Sequence, residues 1–129
     1  MFNILFVEDD ADLASLGQDV LESAGYRVSV ARDGVEALDV LRSACFDLVI
    51  TDVEMPRMDG VSLVRALRKE GHSVPVLIVS GAPDRFLSED LSIGHNGFLA
   101  KPYRFDVFLN HIHAQLQRRP MERSCRTSD

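Results

Sequence analysis

Short apolar runs alternate along this chain with segments whose apolar residues recur every three or four positions. Asn3–Val7 (NILFV) is such a run and predicts a first strand, closed by three acids, Glu8, Asp9 and Asp10. In ADLASLGQDVLESAG, Leu13, Leu16, Val20 and Leu21 fall at helical spacing and predict a helix buried along that stripe. Asp10 suits its positive N-terminal end as a cap, and Gly25 stands where the helix should close. Arg27–Ala31 (RVSVA) alternates apolar and polar positions, the pattern of a less buried edge strand. Asp33-Gly34 then turns the chain into a second helix, with Val35, Leu38 and Leu41 as its stripe. Leu48-Val49-Ile50-Thr51-Asp52 is a third strand, apolar enough to be buried on both faces, and Pro56 and Gly60 break the chain after it. Asp59 reads as a turn or N-cap residue ahead of a third helix. That helix carries Val61, Leu63, Val64 and Leu67 and is ended by Gly71.

The second half repeats the alternation. Val74–Ser80 predicts a fourth strand, with Pro75 tolerable at its start. Residues 84–94 (DRFLSEDLSIG) make a short fourth helix without a clean stripe. Gly97–Ala100 is a fifth strand, stopped by Lys101-Pro102. Phe105, Phe108, Leu109, Ile112 and Leu116 pattern a last helix, its phenylalanines expected in the core, ending near Pro120. Residues 120–129 are polar and are expected to form a disordered tail. Five strands alternating with five helices predict one α/β domain over residues 1–119, a parallel sheet with helices on both faces. A length of 129 residues with 46% hydrophobic and 26% charged residues suits a single soluble domain able to bury its own core.

Charge and cysteine usage narrow the function classes. A net charge of −6 lacks the basic patch that direct nucleic-acid binding needs, although a basic partner fits it. MFNILFVEDD has neither a basic leader nor a long apolar segment, so no signal peptide or membrane span is expected. Cys45 and Cys125 have no metal-ligand or CxxC spacing. Cys45 is expected in a small apolar niche and Cys125 in the tail, with no disulfide framework, which makes a reducing cytoplasm the default location.

The chemistry lies at the strand ends. In an open parallel sheet, sites form at the carboxyl ends of the strands. Glu8 and Asp9 follow the first strand, Asp52 ends the third, Ser80 the fourth, and Lys101 follows the fifth. Asp52 alone could be a turn former or a nucleophile. Three converging carboxylates repel unless a cation intervenes, and Mg²⁺ takes a few carboxylates together with water and phosphate oxygen. Lysine and a hydroxyl suit an anion arriving at the same place. The set is equipment for phosphoryl transfer, with Asp52 as a covalent acceptor.

On VEDD at residues 7–10, TDVEMPRMDG at 51–60, IVSGA at 78–82 and FLAKP at 98–102, the chain resembles the receiver domain of bacterial response regulators. Each motif alone is weak; all four in order are specific. The resemblance implies a five-stranded sheet of order 2-1-3-4-5 and a phosphorelay switch, not an enzyme with an external substrate. It implies that Asp52 is the phosphoacceptor, that Asp9 binds Mg²⁺ directly, and that Glu8 holds the ion through water. The Glu54 backbone carbonyl falls at the third protein ligand, Ser80 at the switch hydroxyl, Lys101 at the family's lysine and Phe98 at its switch aromatic. Implied partners are a sensor histidine kinase or histidine phosphotransfer protein and a downstream effector. The effector would meet the surface of the fourth helix, fifth strand and fifth helix. The chain is expected to be either a stand-alone receiver or a piece of a larger regulator or hybrid kinase.

Other residues read plainly. His72, His95, His111 and His113 have no ligand spacing and are expected on the surface or on helix faces. Asp52-Val53-Glu54 has the DxD-like spacing of phosphatases with an aspartyl-phosphate intermediate, but further acid motifs of that kind are absent. A degenerate receiver acting by contact alone is opposed by the presence of Asp9, Asp52, Ser80 and Lys101 together.

Overall fold

The computed structural model describes residues 1–81 and 97–117. Five strands form one parallel sheet in the order β2-β1-β3-β4-β5: β1 Asn3–Val7, β2 Arg27–Ala31, β3 Leu48–Asp52, β4 Val76–Ser80 and β5 Gly97–Ala100. Among the described residues four helices flank it: α1 Ala11–Ser23, α2 Gly34–Ser43, α3 Gly60–Lys69 and α4 Phe105–Gln117. The helix expected over 84–94 and the tail over 120–129 lie outside the described residues. β4 starts at Val76, two residues later than its pattern suggested, since Pro75 has no N–H for the ladder.

Alternation along each strand sorts the core into two halves. Leu5, Val7, Val49 and Ile78 pack with Leu38 and Leu41 of α2 and Leu63 and Leu67 of α3. Ile4, Phe6, Ile50 and Leu77 point the other way and pack with Leu21 of α1 and Phe108, Ile112 and Leu116 of α4. Each fully buried side chain of this size contributes about 1.5–3 kcal/mol of transfer free energy, which is what holds a sheet between two pairs of helices.

Three helices begin on an aspartate that accepts from the first turn. Asp10 Oδ1 accepts from the N–H of Asp12 and Leu13, Asp33 Oδ1 from Glu36, and Asp59 Oδ1 from Ser62. Gly25 and Gly71, at φ +97° and +85°, turn the chain out of α1 and α3 through the left-handed region, which glycine enters without a Cβ penalty.

The stripe of α1 includes Leu21 as expected but not Leu13 or Leu16. Ala14, Gly17 and Leu21 are buried, whereas Leu13 and Leu16 are each 46% exposed. Residues 14, 17 and 21 also fall at helical spacing, and the small Ala14 and Gly17 let α1 approach the sheet closely. A Cβ on Gly17 would run into the Phe6 ring. Phe105 is likewise exposed rather than core, because the buried face of α4 runs through Phe108, Ile112 and Leu116. His72 is buried instead of on the surface, since it follows the turn that brings the chain from α3 back to β4. Cys45 is half-buried and disulfide-bonded, against the expectation of no disulfide.

Candidate functional site

Parallel pairing places the strand ends side by side. Val7 is level with Thr51, Thr51 with Ile78, Asp52 with Val79, and Ser80 with Ala100. The ladders run on past the strands: Glu8 N donates to Ala31 O (2.9 Å), Val53 N to Val79 O (3.2 Å) and Lys101 N to Ser80 O (2.7 Å). These bonds fix the backbone under each candidate residue.

Glu8, Asp9 and Asp52 come together, each with a carboxylate oxygen within 4.8 Å of the others'. Lys101 joins them. Its ammonium donates to Asp52 Oδ2 at 2.7 Å and lies 3.5 Å from Glu8 Oε1. The Asp52 and Glu8 side chains are 14% and 5% exposed, so the pair sits in a low-dielectric recess where charge interactions are strengthened. Burial pushes the Glu8 carboxyl above its ordinary range, against the Asp10 N–H and the Lys101 charge, which favour the carboxylate. Burial also works against the Lys101 ammonium, but the Asp52 hydrogen bond and the charges of Asp52 and Glu8 outweigh it and hold its pKa above the ordinary value. Three clustered carboxylates share one lysine, which leaves negative charge uncompensated. The donor set therefore fits a hard divalent cation taking oxygen ligands.

The segment after Asp52 is shaped around the site. Gly60 N donates to Val53 O at 2.8 Å and closes the loop 53–59 on itself. A Cβ on Gly60 would fall onto the Asp52 carbonyl oxygen, so only glycine fits there. Thr51 Oγ1 donates to that same carbonyl at 2.9 Å. Glu54 lies exposed on this loop. Ser80 is buried at the end of β4, and Phe98 on β5, level with Ile78, packs half-buried against the α2–α3 side of the core. The structure thus joins Glu8, Asp9, Asp52 and Lys101 in one cluster and places Ser80, Glu54 and Phe98 on the elements around it.

Sequence reasoning missed two features. One is the ion pair of Arg57 with Asp33, whose partners are 24 residues apart and carry no motif. The other is the exposed apolar rim formed by Leu13 and Leu16, masked by a second helical spacing in the same segment.

This sheet order with an acid cluster and a lysine at its carboxyl edge defines a class of α/β signalling module. The response regulator receiver domain family model matches residues 4–113, and the chain belongs to that family. It is 38% identical over 121 residues to the transcriptional regulatory protein CpxR of Escherichia coli (strain K12), covering 92% of this chain and 50% of CpxR. The chain spans about half the length of the curated relatives it matches. A signal receiver domain of a signal transduction histidine kinase from Syntrophus aciditrophicus has a similar structure, with TM-score 0.85, 31% identity and 100% of both chains covered. The response regulator protein TrrA from Thermotoga maritima, solved in complex with Mg(2+)-BeF, superposes with TM-score 0.82 at 28% identity over 89% of this chain and 99% of its own. Among the described residues no helix is long and apolar enough to cross a membrane.

Proposed function

We propose that this chain, with residues 1–119 as its working unit, receives a phosphoryl group on Asp52 in two-component signalling. The observation that carries the reading is the 2.7 Å pairing of Lys101 with Asp52 inside a ring of three acids. A carboxylate held beside a fixed cation is a nucleophile already placed for an anionic donor. A sensor histidine kinase or histidine phosphotransfer protein supplies the donor as a phosphohistidine. An Asp52 oxygen attacks phosphorus in line with the leaving nitrogen. The P–O bond forms as the P–N bond breaks, and the imidazole leaves with the electron pair.

Mg²⁺, held by Asp9, Asp52, the Glu54 backbone carbonyl and, through water, Glu8, would offset charge on the phosphoryl oxygens. The Mg(2+)-BeF complex of TrrA supports this assignment. Lys101 exchanges its bond to Asp52 for one to a phosphoryl oxygen, and the Ser80 hydroxyl binds another. Movement of Ser80 opens space into which Phe98 turns, and this shifts the partner-binding surface toward a downstream effector. Attack of water on the aspartyl phosphate returns the carboxylate and ends the signal. The chain catalyses only these two steps on itself. Its net charge of −6 suits protein partners rather than direct contact with nucleic acid or membrane, and the receiver reading itself places it in the cytoplasm.

Intact-mass spectrometry after incubation with acetyl phosphate and Mg²⁺ tests the reading. The wild type should gain one phosphoryl group, and Asp52→Asn or addition of EDTA should abolish the gain. Equal uptake by Asp52→Asn would remove Asp52 as acceptor.

A further inference from the structure

Outside the acid cluster, the loop that leaves Asp52 is tied down by a separate set of contacts. Arg57 has φ +66°, a left-handed conformation that L side chains rarely adopt. Its Nε donates to Asp33 Oδ2 at 2.8 Å. The Asp33 side chain is 8% exposed, and its other oxygen caps α2. Beside this pair, Gly34 N donates to Met58 O at 3.2 Å. The fit is close: a Cβ on Gly34 would stand 2.7 Å from Met58 Cγ. Residues 57 and 58 therefore rest on the first turn of α2. The loop's base is closed by the Val53–Gly60 hydrogen bond. Glu54 lies between these two anchors.

We propose that Arg57 is a positioning residue for cation binding: its ion pair with Asp33 seats the loop 53–59 on α2 and so holds the Glu54 carbonyl in place for the ion. The inference rests on the reading of Glu54 as a metal ligand given above. Mg²⁺ demands near-octahedral geometry at short range, so a ligand supplied by a loop backbone depends on what holds the loop. Arg57 itself does not touch the ion. As a cation on the loop that carries Glu54, it can act on Mg²⁺ electrostatically only by Coulomb repulsion. Electrostatics and positioning thus predict opposite signs when the charge is removed.

Calorimetric titration of the full chain with MgCl₂ separates them. Arg57→Asn removes the guanidinium while keeping a residue that tolerates positive φ. Its Mg²⁺ dissociation constant should rise about fivefold, the scale of one lost charge-assisted hydrogen bond with an exposed partner. Asp33→Asn keeps the helix cap and cuts the same pair. The double variant should bind no more weakly than the weaker single variant, because both remove one contact. A dissociation constant for Arg57→Asn that is unchanged or lower overturns the inference, and so do additive losses in the double variant. A wild type that binds no Mg²⁺ overturns the reading of the site as well, whereas Mg²⁺ binding by wild type and Arg57→Asn alike overturns the positioning role alone.

Discussion

Asp33 shows how one side chain serves two elements. One oxygen caps α2 and the other accepts from Arg57, and the Arg57 hydrogen bond, with the Glu36 N–H, holds its carboxyl below the ordinary 3.8. An acid whose folded pKa lies below its unfolded value adds stability above the unfolded pKa. That stability is lost as pH falls through the folded value. Urea unfolding of wild type and Asp33→Asn should therefore differ by about 0.5–1 kcal/mol at pH 7, discounted because Arg57 is largely exposed to solvent screening. The difference should shrink as pH drops below 3.8 and vanish in stronger acid. A gap independent of pH would mean that the Asp33 charge contributes nothing to stability. Glu8 differs in kind, since its burial raises rather than lowers its pKa and the carboxylate is held against a desolvation cost. Strain of this sort belongs at a site that waits for a cation, and not at a structural ion pair.

At the scale of elements, α1 is the instructive case. It docks through Ala14, Gly17 and Leu21, with Gly17 pressed against the Phe6 ring. Gly17→Ala should lower stability by about 1–3 kcal/mol despite alanine's better helix propensity, because the new methyl overpacks a buried ring. Leu16→Ala, on the exposed side, should change stability by less than about 0.5 kcal/mol. Chemical denaturation of the two variants decides which stripe is buried; the reverse order would restore Leu13 and Leu16 to the core. The strands were legible because a two-sided buried strand leaves little choice of residue, and Leu48–Asp52 and Val76–Ser80 fall within the apolar runs. The acid cluster was legible for a topological reason. A parallel sheet brings every carboxyl end to one edge, so Glu8, Asp9, Asp52 and Lys101 had to meet once the strands were known. The α1 stripe was not legible, since two sets of residues share the helical spacing and only packing against Phe6 selects the smaller one. Arg57 with Asp33 was not legible either, because an ion pair between loops depends on where the loops are set down, and no local pattern records that.

The whole molecule presents an apolar groove of about 510 Å³ beside its charged centre, between α1 and the segment that follows β5. Leu13, Leu16, Tyr103 and Phe105 line it, and Glu8 and Lys101 border it. Leu13 and Leu16, each 46% exposed, and Phe105, 42% exposed, make this an unusually apolar margin for a chain of net charge −6. On the proposed reading, a protein donor that brings a phosphohistidine to Asp52 would meet this margin, and a small donor would not. Leu16→Ser should therefore slow transfer from a phosphorylated kinase or phosphotransfer protein about tenfold, the loss of one apolar anchor at an interface. Phosphorylation by acetyl phosphate should proceed at the wild-type rate, because the site behind the groove is intact. Single-turnover transfer with each donor reads the two effects apart. Equal slowing with both donors would locate the damage in the site itself, and unchanged transfer from the protein donor would show that the groove margin does not meet it.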